Sequence, residues 1–178
     1  MIVLACGLSQ SGKTTLLKDA PLAELGFTHV RASTLLKQNG RPISQLRVND
    51  VERNQLELAT TLRGMLSVNR SYILLDGHLL IETNDGPQLV SDTSLKSLPL
   101  QGIIFAEEDA DAVARRRQES ESPLTHSREE IADLMHIEAL HARRLARRFG
   151  IEIVTINARS TVSLMVALQK FIPREHPV

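Results

Sequence analysis

The sequence predicts an α/β fold of three layers, a five-stranded parallel sheet between helices. Three observations predict it. Short apolar runs alternate with helix-patterned segments along the chain. The runs are apolar on both faces, as strands of a parallel sheet covered on both sides must be. The first run, Ile2–Cys6, leads through Gly7-Leu8-Ser9-Gln10-Ser11-Gly12-Lys13-Thr14 into a helix. In such sheets ligands sit at the carboxyl ends of the strands, where this loop falls.

The elements follow in order. Thr14 to Lys18 continues as the first helix, and Pro21 and Gly26 bracket a turn. Phe27 to Arg31 is the second strand. Ser33 is placed to cap a short helix through Lys37, ended by Asn39-Gly40. Asn49 or Asp50 is placed to cap a long helix to about Val68, whose buried stripe is Val51, Leu58, Leu62 and Met65. Tyr72 to Leu75 is the third strand and ends at Asp76. Residues 82–102, with Asn84-Asp85-Gly86-Pro87 and Pro99, read as an excursion with a short helix near Ser94. Ile103 to Ala106 is the fourth strand. Asp109 to Glu119 is a helix, broken by Pro123. Ser127-Arg128-Glu129-Glu130 is a capping-box pattern for a long helix with Ile131, Met135, Ala139, Ala142, Ala146 and Phe149 inward, stopped by Gly150. Ile151 to Ile156 is the fifth strand. Thr161 is placed to cap a last helix that faces Leu164, Leu168, Phe171 and Ile172 inward.

The chain of 178 residues reads as one domain, 1–178, with a full-sized core. A formal net charge of zero argues against holding polynucleotide by bulk positive charge, but not against a mononucleotide site. No apolar run approaches the roughly 20 residues of a membrane span. The first strand starts at once, so no signal peptide is expected. The single cysteine, Cys6, reads as a small buried hydrophobe. A cytoplasmic setting is compatible with all of this.

The residues from Gly7 to Thr14 fit G-x-x-x-x-G-K-[ST], the loop that cradles phosphates with backbone N–H groups. Gly7, Ser9, Gln10, Ser11, Gly12, Lys13, Thr14 and Thr15 are therefore the expected nucleotide-binding set. Lys13 would reach the β/γ-phosphates and the Thr14 hydroxyl would bind Mg²⁺. Asp76 closes a buried strand about sixty residues later, the position of a second carboxylate on the same cation. His78 is either an exposed loop histidine or a group that orients an attacking water. No N-K-x-D tetrad, D-x-x-G or L-S-G-G-Q signature occurs. A small phosphotransferase is thus favoured over a GTPase or a transporter ATPase, with adenine the expected base by elimination.

The layout resembles the nucleoside monophosphate kinases, most closely the archaeal-type adenylate kinase branch. The points of resemblance are the loop with Thr15, the D-x-H of Asp76-Gly77-His78 with Leu79-Leu80-Ile81-Glu82-Thr83, and Gln45-Leu46-Arg47 followed by Val51-Glu52-Arg53. Ala112-Val113-Ala114-Arg115-Arg116, and the long helix with Gly150, Val154 and Asn157, complete them. The resemblance implies an adenylate kinase-like P-loop NTPase with a monophosphate-side insertion at about 31–68 and a lid at about 116–128. It implies ATP and Mg²⁺ as cofactors, with Lys13, Asp76, His78 and Arg116 catalytic and Thr14 with Asp76 on the metal. It also implies Arg115 and Asn157 beside the nucleotide, and Ser33 and Arg47 on the acceptor side.

Arg47 also reads as a solvated loop charge, and Arg115 to Arg117 as cations at a helix C-terminus. Three consecutive arginines diverge by about 100° each, so only one or two can face a site. The stretch 118–126 holds no Arg or Lys where the family's lid carries arginines, and Gly86-Pro87-Gln88-Leu89-Val90 replaces the family's G-Y-L-P-G-L-P. The expected partner is a small-molecule phosphate acceptor, with no membrane and an open oligomeric state. A slow ATPase acting as a nucleotide-dependent switch on a protein or RNA is the alternative, and only it would involve nucleic acid. A nucleotide-binding module with degenerate chemistry is the third reading.

Overall fold

The computed structural model describes residues 1–68, 72–120 and 126–172. Residues 121–125 of the expected lid, Pro123 among them, therefore lie outside the described residues. Five parallel strands form the main sheet: β1 (Ile2–Cys6), β2 (Phe27–Arg31), β3 (Tyr72–Asp76), β6 (Leu100–Glu107) and β7 (Glu152–Asn157). Their order is β2-β3-β1-β6-β7, so β1 is central. Side chains alternate across the sheet as the two-residue period of a strand requires. Ile2, Leu4, Cys6, Ile73, Leu75 and Ile103 meet helices α2 (Ala32–Gln38), α3 (Val48–Val68), α4 (Asp92–Lys96) and α6 (Arg128–Phe149). Val3, Ala5, Leu74 and Ile104 meet α1 (Lys13–Asp19), the 3-10 turn Leu22–Leu25 and α7 (Thr161–Gln169). A third cluster packs Leu8, Leu80, Ile131 and Leu134 around Val113 of α5 (Ala110–Glu119).

The predicted five strands and their parallel sheet are observed, and the fold is α/β. The excursion at 82–102 is more ordered than expected. Leu80–Thr83 (β4) and Gly86–Leu89 (β5) pair as an antiparallel hairpin outside the main sheet. Four-residue strands, one carrying Pro87, leave no alternating pattern to read.

Several caps also differ by a residue or more. Arg31, in extended conformation, precedes α2, so Ser33 lies within that helix. Helix α3 begins at Val48, and Asp50 reaches back to accept the Arg47 N–H (3.0 Å) instead of capping it. Ser160, not Thr161, caps α7, accepting the Ser163 N–H (3.1 Å). The capping box of Ser127 and Glu130 and the left-handed Gly150 after α6 stand where the sequence places them.

Gly102 of β6 lies under the Phe171 ring. A Cβ added there would fall 2.0 Å from Phe171 Cε1, although the backbone is ordinary strand. Gly102→Ala is expected to destabilise the fold by about 1–3 kcal/mol through overpacking. Thermal unfolding with no measurable loss would show that the ring moves aside freely.

Candidate functional site

Strand β1 delivers Gly7 to the loop, and the loop's backbone is unusual at three residues. Gly7 (φ 149°), Gly12 (φ 89°) and the non-glycine Gln10 (φ 69°) all have positive φ. The Ser11 N–H donates to Leu8 O (3.0 Å), which closes the turn. Gly12 precedes α1 without a side-chain cap, and the buried Ser11 Oγ has no partner. An uncapped helix start and an orphaned buried hydroxyl are what a phosphate at this loop would satisfy. Ser9 lies half-buried in the loop, and Thr15 is exposed on the first turn of α1.

Lys13 and Asp76 are both buried and form an ion pair. Thr14 Oγ1 donates to Asp76 Oδ2 (2.8 Å), and His29 Nε2 and Arg31 Nε stand 3.6 and 3.9 Å from the same oxygen. Burial works against the Asp76 charge, but the His29 ring, the Lys13 ammonium and the Thr14 hydroxyl outweigh it. They hold the carboxyl well below the usual carboxylate range. An ionised carboxylate against a hydroxyl is an oxygen donor set that suits Mg²⁺, which takes few protein ligands and completes its shell with water and phosphate oxygens. Among the described residues no group of three or more His, Cys, Asp or Glu could hold a metal on its own.

His78 is half-buried, with Nδ1 2.7 Å from Gly7 O. A carbonyl oxygen only accepts, so Nδ1 carries the proton and, in the neutral ring, Nε2 keeps its lone pair. Burial and the Lys13 charge push the His78 pKa down to about 4, so the ring is neutral at pH 7.

Beneath it, the fully buried Glu138 of α6 accepts the Leu79 N–H at Oε1 (2.7 Å), and its Oε2 has no partner. Burial raises the Glu138 carboxyl to about 7. The Leu79 N–H, the Lys13 charge and the Leu80 and Gly7 N–H groups act in the opposite direction. Sequence reasoning did not single out Glu138. The available signal was a charged residue four positions after Leu134 on the buried face of α6.

The three arginines at the end of α5 diverge as helix geometry requires. Arg116 Nη1 donates to Gln10 O (3.1 Å) and Nη2 to Glu108 (2.7 Å), with the guanidinium against Gly12. Arg117 is buried and donates twice to Glu82 (2.9 and 2.7 Å), joining the loop side to the β4–β5 hairpin. Arg115 is exposed and lines an open depression of about 580 Å³ with Glu107, Glu108, Asn157 and Arg159. Asn157 Oδ1 accepts the Arg159 N–H (2.8 Å). Glu108 receives both Arg159 and Arg116. Burial opposes its charge, yet these bonds and the Asp109 N–H bring its carboxyl down to about 2.

On the other side of Asp76 lies a cavity of about 570 Å³. Thr14, Asp76 and His78 line it together with Arg31, Ser33 and Asn54, over apolar walls that include Leu36, Leu58 and Leu80. Ser33 is thus brought to the site. Arg47 is exposed at the start of α3 and outside that lining, while its neighbours Gln45 and Leu46 are part of it. Arg31 is the cation among the lining residues, and it was missed because it closes a strand without any motif. Asn54, buried three residues after Val51, was legible as a polar break in the apolar stripe.

Among the described residues no helix is long and apolar enough to cross a membrane. No curated protein compared with the chain matches it. A gluconokinase from Sinorhizobium meliloti 1021 superposes with a TM-score of 0.52, over 94% of this chain and 91% of that one, at 14% sequence identity. At that identity the likeness is one of fold, a parallel sheet with helices on both faces. The family described as AAA domain matches residues 6–138, which spans the phosphate loop, the Asp76-Gly77-His78 strand end and α6 as far as Glu138. By that match over most of its length, and with the loop geometry to go with it, the chain belongs to the AAA domain family.

Proposed function

We propose that the chain is an ATP- and Mg²⁺-dependent phosphotransferase that moves the γ-phosphoryl of ATP to a small acceptor. The relationship we favour is to the archaeal-type adenylate kinase branch. One observation carries the reading: Thr14 and Asp76, the pair suited to the cation, also line the acceptor-sized cavity. An acceptor held there would lie beside the end of a triphosphate seated on the loop. Mg²⁺, when bound, would neutralise charge on the β- and γ-oxygens.

The chain's own residues do the rest. The Lys13 ammonium exchanges Asp76 for phosphate oxygen. Arg116, held at Gly12 by Gln10 O and Glu108, brings positive charge to the loop. Apolar walls exclude water from the acceptor. The acceptor oxygen attacks γ-phosphorus in line, the bond to the β–γ bridging oxygen breaks, and ADP leaves. The depression at Arg115 and Asn157 is the candidate place for the base.

A panel of nucleoside monophosphates and sugar acids, incubated with ATP·Mg²⁺, tests this. Sugar acids are included because the fold neighbour is a gluconokinase. The expected result is faster ADP formation with one acceptor and appearance of its phosphorylated product. ADP formation indifferent to every acceptor would reject transfer in favour of hydrolysis.

The hydrolysis reading has its own support in His78, whose bare Nε2 is a proton acceptor in the wall of that cavity. His78→Ala is expected to slow hydrolysis by about 10²-fold and transfer by less, the usual size of a general-base effect. The acid limb of kcat/KM for hydrolysis should lie near pH 4, where the ring gains its proton, and not near the ordinary histidine value. An acid limb that is the same in His78→Ala as in the wild type would remove His78 from the chemistry.

A further inference from the structure

We infer that Glu138 is the positioning residue of this site: it fixes the Asp76–Leu79 turn, and through it the His78 ring, against the phosphate loop. The inference rests on the nucleotide-site reading above and adds to it a residue from the long helix behind the sheet.

The turn is tied down peptide by peptide. The Gly77 N–H donates to Ala5 O (3.0 Å) and continues the β1–β3 ladder. His78 donates from its ring to Gly7 O (2.7 Å). The Leu79 N–H, beyond the end of β3, has Glu138 Oε1 as its acceptor (2.7 Å), and Leu79 O accepts the Val90 N–H (2.9 Å). Of these partners only Glu138 is a side chain from outside the strands and loops of the site.

Glu138 is an expensive residue to keep there. It is fully buried, its second oxygen is unpartnered, and α6 neighbours on the same face are Leu134, Ala142 and Leu145. An apolar residue would satisfy the packing, and a buried carboxyl without full pairing lowers stability. The position makes sense where a helix must offer an acceptor to a strand-end N–H that has no backbone partner. Losing the acceptor frees Leu79 to shift, and His78 sits next to it in the chain. Its Nδ1–H bond to Gly7 O, which selects the neutral tautomer with a bare Nε2, would then loosen.

The experiment compares Glu138→Met, Glu138→Ala and Glu138→Gln in the full chain, with ¹⁵N-labelled histidine and with ATP turnover. His78→Ala assigns the His78 ring signals, and thermal unfolding checks that each variant is folded. In the wild type the His78 ring should be the Nδ1–H tautomer, as its bond to Gly7 O requires. Met and Ala should mix its tautomers and lower kcat about tenfold, with KM for ATP changed by less than about threefold. Gln, which keeps an accepting oxygen, should restore both readouts.

An unchanged His78 signal in folded Met or Ala variants overturns the inference. So does a Gln variant as disturbed as the Met variant. If instead His78→Ala leaves turnover intact, the chemical role of His78 fails, while the ring signals still decide the role of Glu138.

Discussion

Lys13→Met is expected to reduce ATP turnover by about 10²–10³-fold, the size of losing one preorganised charge at a reacting phosphoryl. It should also reduce the stability of the unliganded protein. Lys13 is the ion-pair partner of Asp76, and both are buried. Removing the ammonium leaves a carboxylate with the Thr14 hydroxyl, the His29 ring and the more distant Arg31 guanidinium. Breaking a buried pair on one side costs on the order of 3 kcal/mol. For a chain of this length that is roughly 6–12 °C in Tm.

The pH dependence follows from the sign of the Asp76 shift. Its folded pKa lies below the unfolded value, so its contribution is present above the ordinary aspartate range and is lost as pH falls through the folded pKa. In Lys13→Met that carboxyl rises toward neutrality, so the gap in Tm between variant and wild type should close on acidification. The double variant Lys13→Met/Asp76→Asn should recover most of the loss at pH 7, because no charge is left stranded. Equal Tm in the wild type and the single variant would mean that the pair contributes nothing to the fold. Unchanged turnover would remove the loop from the chemistry.

Gly7→Ala should also cost heavily, for a steric reason. At φ 149° the residue is in a region that side chains avoid, and a Cβ would fall 2.6 Å from Ala106 O of β6. That oxygen belongs to a core strand and cannot swing aside, so Gly7 must move. Its carbonyl is the acceptor for His78, and its successor residues form the phosphate loop. Strain of this kind is worth about 1–3 kcal/mol, and affinity for ATP should fall at least about tenfold as the loop entrance shifts. Gly40→Ala is the control. Its φ is also positive (70°), but no atom lies within 4 Å of the added Cβ. It should therefore lose some stability and no ATP affinity. Isothermal titration with ATP and thermal unfolding read both effects, and equal affinities for the two variants would contradict the steric argument.

Much of this arrangement is legible along the chain because it is local. The loop pattern, the apolar run before it, the Asp at the end of β3 and the Ser127–Glu130 box are all short-range signals. The hairpin β4–β5 is not, since its strands are too short and too half-exposed to show a period. The partners inside the site are not legible either. Glu138 meets Leu79 across 59 positions, and Arg117 meets Glu82 across 35. A charged residue on a helix's buried face indicates that a partner exists, but only the packing of α6 and α5 on the hairpin side names it. Arg116 and Arg117 differ in fate for the same reason. One helical step turns the first to the phosphate loop and the second to Glu82.

The central place of β1 has a consequence for how the chain acquires its fold. Residues 2–6 leave the ribosome well before their neighbours in the sheet, residues 73–76 on one side and 100–105 on the other. A nascent chain that has emerged no further than α3 therefore holds Ile-Val-Leu-Ala-Cys unpaired on both edges. Parallel pairing at such separation is slow, because the loop must close before any ladder bond forms. During that interval β1 is the segment most open to wrong partners or to a chaperone. The phosphate loop inherits the delay: Gly7 and Lys13 cannot take up their positions until Asp76 and His78 have been made.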